Sequence, residues 1–417
     1  MRICIFEDQL VENFSPLVHF RPVYELRCGA TTLARKIIRM FPRLETVFHL
    51  RRTLAELAAE EYNDRKINVV PDDDLWLING RILADEHLRQ IVRKYSGSKK
   101  VFLKDDEVAV AFVPRSGVRA FSQQLSGEPF SREAFTGYAA AEYDGLLAQY
   151  PWDLVHCTTD AIQADFKSMR LTKKIAGKIY PGVHLLNRQN IVVGKGSVIK
   201  PGVVLDAEKG PIIIGANATV MPNAFIEGPA FIGDHCLIKV GAKIYHGSSI
   251  GHWCKVGGEV ESSIIQSYSN KQHDGFLGHS YLGSWVNIGA DTNTSDLKNT
   301  YGTVNVHVRG RLVDTKMQFV GLTMGDHSKT GINVMFDTGA VVGVSCNIYG
   351  AGLPPKFVPS FSWGEKGAFS PYALEKSLET ARRVMARRNV PMSEAFEKLM
   401  RGLFAATESE RQSAGIF

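Results

Sequence analysis

The stretch from Ile214 to Val256 reads IGANATVMPNAFIEGPAFIGDHCLIKVGAKIYHGSSIGHWCKV, and a β-branched apolar residue recurs at every sixth position. The recurring positions are Ile214, Val220, Ile226, Ile232, Ile238, Ile244, Ile250 and Val256. The same six-residue period, which we call the beat, extends back across a three-residue insertion to Leu205, Ile199 and Val193. A six-residue period fits neither a helix nor an alternating strand. It predicts a parallel β-helix of triangular section in which the recurring residues point inward.

The beat fails just before His273 and resumes in a new phase. The later positions are Phe276, Leu282, Ile288, Met324, Phe336, Val342 and Ile348. A change of phase predicts an inserted loop at His273, and loops on a rigid scaffold often carry function. Residues 295–316 predict a second excursion, a hairpin that reaches toward a neighbouring chain.

The first 176 residues alternate strand-like and helix-like segments. The order is RICIF, TTLARKIIRMF, TVFHL, TLAELAAEEY, INVV with LWLIN, and DEHLRQIVRKY. This alternation predicts a mostly parallel sheet covered by helices, with ligands beyond the carboxyl ends of the strands. KKVFLKDDEVAVAFV predicts two strands, and SREAFTGYAAAEYDGLLAQY and DAIQADFKSMRLTKKIA predict helices that close the domain near Ala176. A glycine-rich phosphate loop is absent between Glu7 and Phe20.

Composition excludes several classes of protein. The 417 residues are 44% apolar and 22% charged, which indicates a soluble chain of two domains. No signal peptide or apolar span is recognisable, so we expect a cytoplasmic protein that does not enter a membrane. Six cysteines without a CxxC pair indicate reduced, packed thiols. A net charge of +6 without a basic, aromatic-rich block argues against nucleic-acid binding.

Several phrases carry a family resemblance. They are FRPVYELRCG, INGRIL, GAKIYHGSSIG, KVGGEV, HDGFLG, GADTNTSDLKN, MGDHSKTGIN and PSFSWG. The chain resembles a variant bacterial group of sugar nucleotidyltransferases, itself similar to the bifunctional UDP-N-acetylglucosamine pyrophosphorylase/glucosamine-1-phosphate N-acetyltransferases. The resemblance implies an α/β, Rossmann-like nucleotidyltransferase domain over residues 1–176, a left-handed β-helix acyltransferase domain over 177–364, and a C-terminal helix within 365–417. It also implies a homotrimer.

The resemblance further implies site residues in the β-helix. His273 falls on the catalytic base of the family, and Glu259 on the acid that orients that histidine. Lys243, Phe276, Asn287, Ala290 and Lys298 fall on or beside its substrate-binding positions. Phe276 replaces a tyrosine, and Glu261 replaces a lysine that helps to hold phosphate. The implied reaction transfers acetyl from acetyl-CoA to glucosamine 1-phosphate or a related amino sugar.

The chemistry of that reaction supports His273 independently of the resemblance. Attack on a thioester needs an unprotonated amine, and an imidazole with a pKa near 6.5 suits the removal of the proton. The alternative is a surface histidine in a mobile loop. We expect backbone amides of the corner from Asn287 to Ala290 to stabilise the oxyanion that develops.

The N-terminal domain departs from its family at the strand ends. Arg81 in INGRIL takes the place of the magnesium-binding aspartate, and Arg21 stands near the usual lysine. The resemblance implies that Arg21, Asn79 and Arg81 bind nucleotide or phosphate, with UTP or another nucleoside triphosphate as substrate and Mg²⁺ as the ion. An arginine does not ligate magnesium, so Asp8 or Asp85 would have to hold it, or Arg81 is a surface residue paired with Asp85. We expect binding with slow or no product formation.

Two other functions remain open on the sequence. His246 with His252, and His273 with His279, are spaced by six, which would suit a metal-dependent enzyme of the carbonic anhydrase type. The residues singled out by the resemblance include no metal ligand. The second alternative is a non-enzymatic sensor of sugar nucleotides on a trimeric scaffold.

Overall fold

The N-terminal part is built around one mixed sheet. The structure, a computed structural model, describes residues 1–61, 66–171 and 174–417. The strands of this part are β1 Arg2–Phe6, β2 Arg27–Cys28, β3 Thr31–Thr32, β4 Glu45–Phe48, β5 Lys66–Ile67, β6 Leu75–Asn79, β7 Lys100–Lys104, β8 Glu107–Val113 and β9 Ala139–Glu142. The helices are α1 Leu33–Met40, α2 Ala55–Glu61, α3 Glu86–Lys94, α4 Ser122–Leu125 and α5 Pro151–Ser168.

The large sheet has the order β5-β4-β1-β6-β8-β7-β9. Strands β5, β4, β1 and β6 run parallel, as the alternation predicts, and β8 pairs antiparallel with both β6 and β7. The central strands β1 and β6 are almost entirely buried, because helices and loops cover both faces of the sheet.

The helix predicted for SREAFTGYAAAEYDGLLAQY is wrong. Residues Ala139–Glu142 within it form β9, which pairs in parallel with β7. Alanine is the strongest helix former, but intrinsic propensity is a weak preference, and pairing with the free edge of β7 overrides it here. The closing helix α5 starts at Pro151, a favoured first position, rather than at Asp160, and ends at Ser168. Tyr62 of TLAELAAEEY and Thr172 and Lys173 of DAIQADFKSMRLTKKIA lie outside the described residues.

The second half is a β-helix with three sheets, as predicted. The first face holds β10 Lys178–Ile179, β13 Val198–Ile199, β16 Thr219–Val220, β19 Leu237–Ile238, β22 Lys255–Val256 and β25 Asn270–Lys271, then β32 Lys329–Thr330, β35 Asn347–Ile348, β37 Ser362–Glu365 and β38 Ala368–Pro371. The second face holds β11 His184–Leu186, β14 Val204–Asp206, β17 Phe225–Glu227, β20 Lys243–Ile244, β23 Glu259–Glu261 and β26 Phe276–Gly278; β28 Asn293–Thr294 pairs with β33 Met335–Phe336. The third face holds β12 Ile191–Val193, β15 Ile212–Ile214, β18 Ala230–Ile232, β21 Ser248–Ile250, β24 Ile264–Ile265, β27 Tyr281–Leu282, β31 Thr323–Met324, β34 Val341–Val342 and β36 Phe357–Val358.

The six-residue beat forms the core of this solenoid. Every recurring position from Val193 to Val256 is at most 1% exposed. One regular turn takes 18 residues, since Ala230 pairs with Ser248.

The inserted loop predicted at His273 is wrong, because the coil is shortened instead. Ser249 pairs with Ile264, only 15 residues later. Just two glycines, Gly257 and Gly258, separate β22 from β23, and the following turns therefore shift phase. The apolar inward residues that follow are Val260, Ile265 and Leu277, each at most 1% exposed, whereas Phe276 faces outward.

The main excursion lies between β28 and β31 and contains the predicted hairpin, β29 Asn305–Val308 and β30 Arg311–Asp314. Val306 and Val308 pack in one cluster with Trp152 and Val341 of the same chain. The hairpin therefore packs against both α5 and the β-helix and holds them together.

Three helices, rather than one, end the chain: α6 Leu374–Ala386, α7 Glu394–Ala406 and α8 Glu408–Ser413. Phe396 of α7 stacks on Phe20, and both rings contact His327. The N-terminal part, the β-helix and the C-terminal helices thus share one apolar junction. No helix in the described part of the chain is long and apolar enough to cross a bilayer.

Candidate functional site

His273 lies at an ordinary corner of the β-helix, between β25 and β26. Its side chain is exposed, and its ring makes no hydrogen bond to any described residue. The corner itself is fixed, because Asp291 of the turn above donates its backbone N–H to the carbonyl of Asp274 at 3.0 Å. A free imidazole on a rigid corner is able to accept a proton from a docked substrate.

Lys271 supports this corner from inside the solenoid, and we did not expect it from the sequence. It takes an inward position, is 2% exposed, and donates from Nζ to the carbonyl of His273 at 2.6 Å. Gly258, with φ of +67°, makes room for the ammonium, since a Cβ there would lie 2.6 Å from Nζ. Burial lowers the pKa of Lys271 to about 8, although Asp274 and Asp291 act in the other direction. A lysine on the apolar beat is the signal that could have identified it.

The buried ammonium of Lys271 makes stability depend on pH. Its pKa of about 8 lies below the ordinary 10.4, so the unfolded chain binds more protons between these values. The free energy of unfolding of the parent should therefore rise by about 3 kcal/mol, relative to Lys271→Met, as pH increases from 8 to above 10. Urea unfolding of both proteins across this range measures the difference. Parallel pH profiles would show that Lys271 is not buried as a cation.

Three of the predicted site residues form a ladder on the second face. Lys243 pairs in register with Glu259, and Glu259 with Phe276, so their side chains point the same way. Nζ of Lys243 lies 3.5 Å from Oε2 of Glu259. We expected Glu259 to orient the ring of His273. Among the described residues no hydrogen bond joins these two side chains, and Glu259 instead forms an ion pair with Lys243.

The remaining predicted residues are more scattered. Asn287 lies on the first face, where its Oδ1 accepts from Nδ2 of Asn270 at 3.5 Å, and Lys298 lies in the excursion and donates to the carbonyl of Thr303. Ala290 lies in the corner directly above that of His273. The structure therefore brings His273 near the ladder and Ala290, but keeps Asn287 on another face.

Most of the backbone N–H groups that we expected to stabilise an oxyanion at this upper corner already donate hydrogen bonds within the protein. The N–H groups of Asn287 and Ile288 donate to backbone carbonyls, and that of Gly289 donates to Oγ1 of Thr330 at 2.8 Å. The N–H of Ala290 makes no hydrogen bond to any described residue, so it alone is left to meet an oxyanion.

In the N-terminal part, Arg81 forms a buried network with Asp8. Its side chain is fully buried, with Nε 3.1 Å from Oδ1 and Nη2 2.5 Å from Oδ2 of Asp8. Nδ2 of Asn79 donates to the same carboxylate at 2.7 Å. The alternative in which Arg81 is a surface partner of Asp85 is wrong, because Asp85 instead caps α3 through the N–H of Leu88. Arg81 and Asn79 are thus committed to a protein carboxylate instead of a phosphate.

Beside this network, a small cleft of about 230 Å³ opens between the carboxyl end of β1 and the start of β8. Four carboxylates line it, those of Asp8, Asp106, Glu107 and Glu133, and Arg132, which pairs with Asp106, is the cation. Burial, and then Asp8, raise the pKa of Glu107. Because Asp8 is saturated by Arg81 and Asn79, these residues do not fit a magnesium ion, and without one the cleft repels a triphosphate.

Arg21 joins the N-terminal part to the β-helix. Its guanidinium is therefore not available to a nucleoside triphosphate at the strand ends. It forms a bidentate ion pair with Asp326 and donates to Oγ of Ser284 at 3.1 Å. Asp326 belongs to the β-helix and is 2% exposed. The expectation that Arg21 binds the nucleotide is therefore replaced by a role in the junction.

The histidine pairs do not build a metal centre. His246, His252 and His279 each lie beside a different carboxylate, those of Glu227, Asp234 and Asp296. Across residues 1–61, 66–171 and 174–417, no three His, Cys, Asp or Glu side chains converge in a way that would hold an ion. Within the described part of one chain, the two histidine pairs therefore stay separate.

Comparison with known proteins finds a family and several relatives that are similar to parts of this chain. Residues 3–174 match the family model described as "Sugar nucleotidyl transferase". The bifunctional protein GlmU of Rippkaea orientalis is 31% identical over 38% of this chain and 30% of its own length. That of Methanocaldococcus jannaschii is 35% identical over 21% of each chain. The chain is thus similar to GlmU proteins over part of its length.

A third relative has a name that states two activities. It is the bifunctional sugar-1-phosphate nucleotidylyltransferase/acetyltransferase of Sulfurisphaera tokodaii, 33% identical over 22% of this chain and 23% of its own length. The UDP-N-acetylglucosamine acyltransferase of Francisella novicida aligns in structure at 17% identity over 54% of this chain and 77% of that chain, with a TM-score of 0.29. The chain spans less than a third of the length of these three sequence relatives.

Proposed function

We propose that the β-helix transfers an acetyl group from acetyl-CoA to the amine of glucosamine 1-phosphate or a related amino sugar phosphate. The observation that carries this proposal is the free imidazole of His273 on a corner fixed by Lys271. The acetyltransferase activity in the name of a sequence relative supports it.

In the proposed reaction, His273 removes a proton from the amine as its nitrogen attacks the thioester carbonyl. The carbonyl becomes an oxyanion, which the N–H of Ala290 is placed to stabilise. The C–S bond then breaks, and the imidazolium returns the proton to the departing thiolate of coenzyme A. Lys243 is half-exposed at the ladder and is the cation available to the sugar phosphate.

Steady-state turnover of acetyl-CoA by the full chain tests this function. Glucosamine 1-phosphate should release coenzyme A, whereas N-acetylglucosamine 1-phosphate, which has no free amine, should not. An absence of turnover with every amino sugar phosphate would contradict an acetyltransferase.

The proposal includes a homotrimer assembled along the β-helix. A single corner leaves His273 open to solvent, and a neighbouring prism would supply the missing walls and exclude water. Light scattering at micromolar concentration should give a mass near three times 46.1 kDa. A monomer would remove the proposed site between chains.

For the N-terminal part we propose sugar-nucleotide or phosphate binding with little or no synthesis. The network of Arg81, Asp8 and Asn79 leaves no magnesium ligand set at the strand ends. Pyrophosphate release from UTP and N-acetylglucosamine 1-phosphate should therefore be slow or undetectable, and adding Mg²⁺ should change it little. Rapid, magnesium-dependent release would contradict this reading.

A further inference from the structure

A cavity of about 390 Å³ lies where the three parts of the chain meet. Arg27 and Thr31 line it from the N-terminal part, Tyr268 and Trp285 from the β-helix, and Phe396 from the C-terminal helices. Its volume is in the range of small-molecule sites. It shares no lining residue with the cleft at the strand ends or with the corner of His273.

Arg27 brings an unneutralised charge into this cavity. The residue is 4% exposed, and Nη1 donates to the carbonyl of Ala30 at 2.9 Å. Its guanidinium lies 5.1 Å from the centre of the Phe231 ring, while Nε has no hydrogen-bond partner among the described residues. It forms no ion pair with a described carboxylate. Buried arginine is normally paired, so this arrangement calls for an anion supplied from outside.

Further donors surround the same end of the cavity. Arg35 is exposed and has no ion pair among the described residues, and Oγ1 of Thr31 is buried without a partner there. Burial lowers the pKa of His252 to about 4, and the charges of Arg27 and Arg35 add to that effect, which places these groups together.

Three carboxylates also line the cavity, those of Glu25, Glu61 and Asp326. Arg21 is bonded to Asp326, and Glu61 is the next acidic neighbour of Arg21. Glu25 also lines the cavity, beside Glu61. The cavity therefore offers acceptors as well as donors to a ligand.

An aromatic stack forms one wall of the cavity. The rings of Tyr268 and Trp285 are stacked with their centres 4.3 Å apart at 9°, and His327 covers the other side of Trp285 at 5.9 Å. Tyr268 is only partly buried, so it is the ring left to meet a ligand. Nucleobases commonly stack on such rings.

We propose that this junction cavity binds a nucleotide, with its phosphate at Arg27 and Arg35, its base against Tyr268, and its ribose hydroxyls toward the carboxylates. The ligand would contact all three parts of the chain at once. A site of this kind would couple nucleotide binding to the packing of the N-terminal part on the β-helix, independently of catalysis at His273.

Isothermal titration of the full chain with AMP, UMP and inorganic phosphate tests the proposal. The parent should bind a nucleotide more tightly than phosphate. Arg35→Ala, an exposed substitution that leaves the fold intact, should weaken nucleotide binding about 10-fold to 100-fold. Tyr268→Ala should reduce the advantage of the nucleotide over phosphate.

One exposed arginine outside the cavity serves as a control. Arg43→Ala removes one charge near α1 and should leave binding unchanged. Arg132→Ala reports separately on the strand-end cleft. The proposal is overturned if the parent binds none of the three probes, or if Arg35→Ala binds as tightly as the parent. Loss of binding in Arg132→Ala alone would place the ligand at the strand ends and would equally overturn it.

Discussion

Replacing His273 by alanine should lower the turnover of acetyl transfer about 100-fold to 10,000-fold, which is the usual contribution of a general base. The amine would then have to lose its proton to water during attack. Because the ring of His273 makes no hydrogen bond to a described residue, its removal should leave the free energy of unfolding nearly unchanged. The measurement is steady-state release of coenzyme A, with a urea unfolding curve on the same preparation.

His184→Ala is the matched control. His184 is an exposed histidine on β11, in the first turn of the same face, far along the solenoid from the proposed site. Its removal should leave turnover unchanged. If His273→Ala retains turnover within a few-fold of the parent while His184→Ala does the same, the base is another group.

Replacing Arg81 by methionine should destabilise the N-terminal part by about 3 to 5 kcal/mol, the usual cost of leaving a buried charge without its partner. Asp8 is 4% exposed, and its bonds from Asn79 and from the backbone of Leu10 do not neutralise its charge. The change should appear in urea unfolding followed by the fluorescence of Trp76, which lies in β6.

Two further variants separate this explanation from a general loss of packing. Asp8→Asn combined with Arg81→Met should recover part of the lost stability, because no buried charge then remains. Arg132→Met breaks an exposed pair with Asp106 and should have little effect. If Arg81→Met lowered the free energy of unfolding by less than about 1 kcal/mol, the structural role of Arg81 would be contradicted. A loss that small is typical of an exposed ion pair.

The β-helix could be predicted from the sequence because its core repeats locally, every sixth residue, without reference to any distant contact. Periodicity alone could not decide how the phase changes. A shortened coil at Gly257 and Gly258 and an inserted loop both displace the beat, and only the pairing of Ser249 with Ile264 distinguishes them. The error at Phe276 follows directly from that ambiguity.

Residues whose partners are distant along the chain were harder to predict. Arg81 pairs with Asp8, Arg21 with Asp326, and Ala139–Glu142 with β7, and none of these partners is indicated by local pattern. Resemblance placed His273, Glu259 and Lys243 in one region, but the partner of Glu259 depends on register between turns. Lys271 could have been recognised, since it interrupts the apolar beat between Ile265 and Leu277.

The most direct test of the account is a crystal structure of the full chain with coenzyme A and glucosamine 1-phosphate bound. The account predicts that the sugar amine lies within about 3 Å of a ring nitrogen of His273, with the thiol of coenzyme A beside it. It also predicts that the phosphate lies near Lys243. Density for both ligands at a place remote from His273 would contradict the central claim that this corner of the β-helix is the acetyltransferase site.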